Sequence, residues 1–142
     1  MKKPHRQTVI GWVLFVVFLF LSAGFGLALS VVFAPVKMSL KEDSYTLSFL
    51  THKESAKYVD LVEVALLDES YSAKKIKSYG GSSKAFGTYK NEEYGKHFRL
   101  THSENKYNYI LLKRSDGKIT VFNMKTRSAT ESLYKQLMDH LE

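Results

Sequence analysis

Residues Tyr109–Asn123 read YILLKRSDGKITVFN, two apolar runs flanking a polar tetrad, and this stretch decides the fold. Ser115-Asp116-Gly117-Lys118 carries an Asp-Gly pair, whose glycine accepts the positive backbone angles that a tight hairpin turn demands. Tyr107–Lys113 and Ile119–Asn123 are therefore expected to be antiparallel strands. Upstream, a two-residue period recurs. Val36, Met38 and Leu40 alternate with polar residues, then Tyr45, Leu47 and Phe49 do the same after the polar turn Lys41–Ser44. Tyr58–Leu67, Lys84–Lys90 and His97–His102 read as three more strands, seven in all. Asp68–Ser83 reads as a polar loop closed by Gly80-Gly81-Ser82-Ser83.

Downstream of the hairpin the period changes to that of a helix. Leu133, Leu137 and Leu141, flanked by Tyr134 and Met138, make one apolar face. Ser128 followed by Glu131 has the spacing of a capping box. The expected fold class is α+β, mostly β, with this helix capping a barrel or sandwich.

At the other end, Thr8–Ala34 contains no charged residue. About 27 helical residues reach roughly 40 Å, enough for one passage through a ~30 Å hydrocarbon layer. The competing reading, a cleaved signal peptide, has an apolar region of only ~7–15 residues. The chain is accordingly divided into a basic tail (1–7), a transmembrane helix (8–34) and a domain (35–142). Lys2, Lys3 and Arg6 precede the span, against Lys37 and Lys41 after it. The positive-inside rule then sets the N-terminus in the cytoplasm and the domain outside a cell membrane. Ser22, Gly26 and Ser30 recur every four residues. That stripe reads either as a packing face for a second helix, giving a homo-oligomer, or as small residues facing lipid.

The chain has no cysteine, which excludes thiol catalysis and cysteine-ligated metal sites. Its net charge of +7 includes no dense basic block of the kind that marks nucleic-acid binding. His52, His97, His102 and His140 lack metal-ligand spacing, and no serine sits in a nucleophile motif. No cofactor, metal or catalytic residue is expected. Lys74, Lys75, Lys77 and Lys84 form the densest basic stretch. They read either as a contact for phosphate-bearing lipid or another anion, or as a solvated loop.

From about Tyr58 to Leu141 the pattern resembles the bacterial PH-like domains of small membrane proteins. The resemblance rests on Tyr79-Gly80-Gly81, Phe86-Gly87-Thr88-Tyr89-Lys90, Tyr94-Gly95-Lys96, Tyr109–Lys113, Val121-Phe122-Asn123 and Thr130-Glu131 with Leu133-Tyr134. It implies a seven-stranded PH-like barrel with a C-terminal helix, and brings no catalytic residues with it. The function expected is a membrane-tethered, non-catalytic interaction module for a protein or envelope-polymer partner. Binding of anionic lipid headgroups is the alternative, with an envelope hydrolase third.

Overall fold

The computed structural model describes residues 5–142 apart from 51, 82 and 106, with the side chains of 5–9 and 27–33 also left aside. The chain divides into two units, one ending at Phe33 and the other running Ala34–Glu142.

The first unit is α1 (His5–Phe33), whose sequence carries no charged residue from Thr8 onward. Here the expected membrane passage is corrected: among the described residues, no helix is long and apolar enough to cross a membrane. The single-pass topology, the membrane location and sidedness, the tethering role, the bilayer as partner and helix-mediated oligomers fall with that span. Ser22 Oγ donates to the Leu19 carbonyl within its own turn, at 3.0 Å. Gly26 lies on the same helix, and the Ser30 side chain is outside the described residues.

Among the described residues, the second unit holds nine strands and α2 (Arg127–Asp139). One sheet contains β1 (Lys37–Leu40), β2 (Ser44–Phe49) and β3 (His52–Lys57), in that order. The other has the order β4-β8-β9-β7-β6-β5. Its strands are β4 (Leu61–Leu67), β5 (Lys74–Gly80), β6 (Lys84–Asn91), β7 (Gly95–His102), β8 (Tyr109–Arg114) and β9 (Ile119–Phe122). Among the described residues neither sheet closes on itself, so the seven-stranded barrel is corrected to two open sheets. All pairs are antiparallel except β7 with β9.

The YILL run of β8 is buried on both faces, which is why it is continuous rather than alternating. Ile110 and Leu112 face the main core with Tyr45, Leu47 and Phe49 of β2 and Leu133 and Leu137 of α2. Tyr109 and Leu111 face a second cluster with Val121, under Tyr71 and Tyr94. Asn123 ties the end of β9 to β7. Its Oδ1 accepts from His102 N at 2.6 Å, and its own N donates to the Leu100 carbonyl at 3.2 Å. The cap of α2 is Thr126, whose hydroxyl accepts from Ala129 N at 3.2 Å. Glu131 instead pairs with Arg127 at 2.7 Å, so the Ser128–Glu131 capping box is corrected as well.

Two further strands lie where alternation is absent. β3 (HKESAK) and β5 (KKIKSYG) hold their places through backbone ladders to β2 and β6. β4 and β5 are opposite edges of the larger sheet, yet only Asp68–Ala73 joins them. Six strands laid flat would separate those edges by about 24 Å. The connection spends part of its length in a turn, Tyr71 N donating to the Asp68 carbonyl. Leu66 and Leu67 of β4 share a recess with Asn91 and Tyr94 of the β6–β7 turn. The sheet therefore curls around its Tyr71 face, bringing three chain segments together at one end.

Candidate functional site

At that end the strand register assembles a row of like charge. Lys74 of β5 lies directly opposite Lys90 of β6, and Lys90 lies directly opposite Lys96 of β7. Cross-strand partners project from the same face, about 5 Å apart. All three lysines are exposed, and none joins an ion pair among the described residues. Directly opposed like charges destabilise a sheet, so the row carries a standing cost that a bound anion would relieve.

The four lysines singled out from sequence are divided by the structure. A register shift between Lys75 and Lys77 turns Lys75 to the face of Tyr89, while Lys77 shares the face of Thr88. The Lys77 ammonium lies 5.5 Å from the Tyr79 ring centre, and its contact with Tyr79 holds it above the usual lysine range. Lys84 is buried beside Phe49 and donates to the Ala34 carbonyl at 2.5 Å. Burial, then Lys125, pulls it below the usual range. Lys90 and Lys96, which sequence reasoning passes over, join Lys74 through pairing alone. The signal available is Gly95, whose φ of +61° closes the turn that pairs β6 with β7 as a hairpin.

Two recesses open beside this row. One, about 690 Å³, is lined by Lys74, Lys75 and Lys90, with Ser72, Asn91 and Glu92 at its margin. The other, about 400 Å³, is lined by Asp68, Glu92 and Glu93 and walled by Tyr71 and Tyr94. Ser72, Asn91 and Glu92 belong to both. Asn91 stiffens this shared wall: Nδ2 donates to the Ser72 carbonyl at 3.1 Å, and Oδ1 accepts from Tyr94 N at 2.8 Å. Asp68 accepts from both the amide and hydroxyl of Ser70, which hold its carboxyl below the usual range. Burial, then Glu93, pushes Tyr94 up to about 12.

Beneath Tyr71 lies a polar layer that accounts for its own groups. His97 Nδ1 donates to the Gly95 carbonyl at 2.9 Å, leaving Nε2 to accept from the Tyr71 hydroxyl at 2.6 Å. Arg99 sits 4.8–5.2 Å from the ring centres of Tyr71, Tyr89 and Tyr109. It donates to Thr101 at 2.7 Å and to the Tyr109 hydroxyl at 2.8 Å. Cation–π contacts of this kind brace the sheet face.

The histidines are dispersed. His52 stacks on Phe98 at 4.1 Å, His140 on Tyr58 at 5.1 Å, and His102 sits behind Lys84. Among the described residues, no three His, Asp or Glu side chains form a group able to hold a metal ion. Burial is the leading cause that lowers His52, His97 and His102 below the usual histidine range. The unfolded chain then takes up protons first as pH falls, so stability decreases with acid. We expect a constant melting temperature above about pH 7 and a decline from about pH 6.5 to 5, before the carboxylates titrate. Thermal unfolding monitored by circular dichroism across that range tests it, and a flat profile would contradict it.

In comparisons with family models, curated proteins and solved structures, nothing matches this chain.

Proposed function

We propose that the Ala34–Glu142 unit is a binding module, rather than an enzyme, for a multivalent phosphate-class anion. The observation that carries this is the Lys74–Lys90–Lys96 row, three exposed ammonium groups in direct register without carboxylate partners among the described residues. Each lysine is a flexible, strongly hydrated point charge, suited to grasping several oxygens rather than one planar group. Kinship with bacterial PH-like domains is part of the same proposal and rests on the ordered residue pattern.

Isothermal titration of the full chain with tripolyphosphate tests the reading. Binding should weaken as salt rises from about 50 to about 200 mM, because exposed charges are screened. Lys90→Glu, at the centre of the row, should lower affinity at least about tenfold, a change of roughly 1.4 kcal/mol. Without ligand, the same substitution should stabilise the fold by about 0.5 kcal/mol, since it relieves two cross-strand repulsions. Unchanged affinity in Lys90→Glu would overturn the assignment.

A further inference from the structure

We infer that β5 is a docking edge for an acidic, extended polypeptide segment, which joins the larger sheet as a further strand. This does not rest on the anion-binding reading: it concerns the outer edge of β5, and Lys90 and Lys96 lie on the strands behind it. β5 ends the sheet and pairs with β6 alone. Among the described residues, no backbone hydrogen bond reaches it from the side away from β6. Its outward amides and carbonyls are therefore a ready template for another chain.

The side chains along that edge decide which chain fits. Lys74, Lys75 and Lys77 are exposed, and β5 carries no carboxylate. None of the three joins an ion pair among the described residues. Lys90, Thr88 and Phe86 alternate along β6, so their partners Lys74, Lys77 and Tyr79 share one face of the sheet. A strand with acidic residues at every second position meets both of those lysines. The register shift leaves Ile76 without a cross-strand partner, and a bulge of this kind re-aims its side chain. Ile76 is 53% exposed and Tyr79 54%, so apolar contacts stand between the charges. A second copy is the wrong occupant. β5 against β5 would set three lysines against three, in a chain of net charge +7. Lysines on an edge turn away a like edge in this manner, and the same charges select a partner rich in glutamate or aspartate.

The test titrates the full chain with a capped heptapeptide of alternating glutamate and valine, followed by backbone NMR and amide hydrogen exchange. Exchange of the outward β5 amides should slow at least about tenfold at saturation, since they open only when the added strand leaves. Lys75→Glu/Lys77→Glu should weaken the peptide at least about tenfold, with melting temperature confirming that the variant is folded. Both positions lie outside the Lys74–Lys90–Lys96 row, so the two readings fail independently. Two further probes carry the same charge but are N-methylated, one at every glutamate and one at every valine. Only one set of peptide amides faces β5, so one probe should bind and the other fail. Equal binding of both would show charge attraction without strand addition and overturn the inference, as would no binding of the unmodified peptide. Protection of the β5 amides in the free chain, rising with protein concentration, would overturn it in favour of a second copy.

Discussion

Replacing Glu54 by alanine is expected to destabilise the domain by about 3 kcal/mol. Its side chain is only 1% exposed, yet it projects from β3, a strand with little apolar content. Oε2 accepts from the Thr120 hydroxyl of β9 at 2.7 Å, and Oε1 accepts from the Tyr45 hydroxyl of β2 at 3.4 Å. The carboxylate therefore joins the smaller sheet to the larger one. Burial, then the Glu54 charge, drives the Tyr45 phenol upward, as expected of a hydroxyl that must remain a donor. Alanine would leave two buried hydroxyls without an acceptor, at roughly 1–3 kcal/mol each. Lys118 lies 3.1 Å away but is 41% exposed, so water can replace its partner and its loss adds little. Glu54→Gln keeps one acceptor and should cost about 1 kcal/mol. Denaturant unfolding separates the two variants. Equal costs would show that the hydrogen bonds are not what holds the sheets.

The second large effect is expected at Gly87. Its φ of +152° disfavours any side chain, and an added Cβ would run into the Lys77 carbonyl oxygen and come within 2.6 Å of Ser78 Cα. Both obstacles are backbone of β5, so they cannot turn aside as a side chain would. Backbone strain of ~1–3 kcal/mol and overpacking of similar size give a combined cost of about 4 kcal/mol for Gly87→Ala. The strain falls on the pairing of edge strand β5 with β6, and β5 carries Lys74. Even where the variant folds at low temperature, it should bind tripolyphosphate more weakly. Full retention of both stability and binding would mean that β5 is not seated as described.

These two residues mark where sequence legibility ends. The β8–β9 hairpin is readable because Asp116-Gly117 needs a tight turn and YILL has no polar position to expose. α2 is readable from the spacing of its leucines, although the capping-box spacing puts its cap two residues late. Thr126 and Ser128 are equally good acceptors in sequence, and only the chain path selects between them. β3 and β5 are not readable. Their order comes from ladder hydrogen bonds, which leave no apolar period behind, and Glu54 in HKESAK looks like any surface glutamate. The apolar segment is legible as a helix, but the membrane passage inferred from it does not stand among the described residues.

The candidate site illustrates the same limit. Lys74, Lys75 and Lys77 stand together in sequence and so attract notice together, but a one-residue register shift separates Lys75 from Lys77. Lys90 and Lys96 lie farther along the chain and join Lys74 only through pairing across β5, β6 and β7. Sequence proximity reports local charge, whereas the sheet determines which charges face the same ligand.

The most direct test of the anion assignment is to follow lysine side-chain and backbone resonances of the full chain by NMR during titration with tripolyphosphate. The account predicts saturable shifts concentrated at Lys74, Lys90 and Lys96, with smaller changes at Ser72 and Asn91 and none at the buried Lys84. Shifts scattered over all exposed lysines, or centred on Lys125 and Lys135 instead, would contradict it.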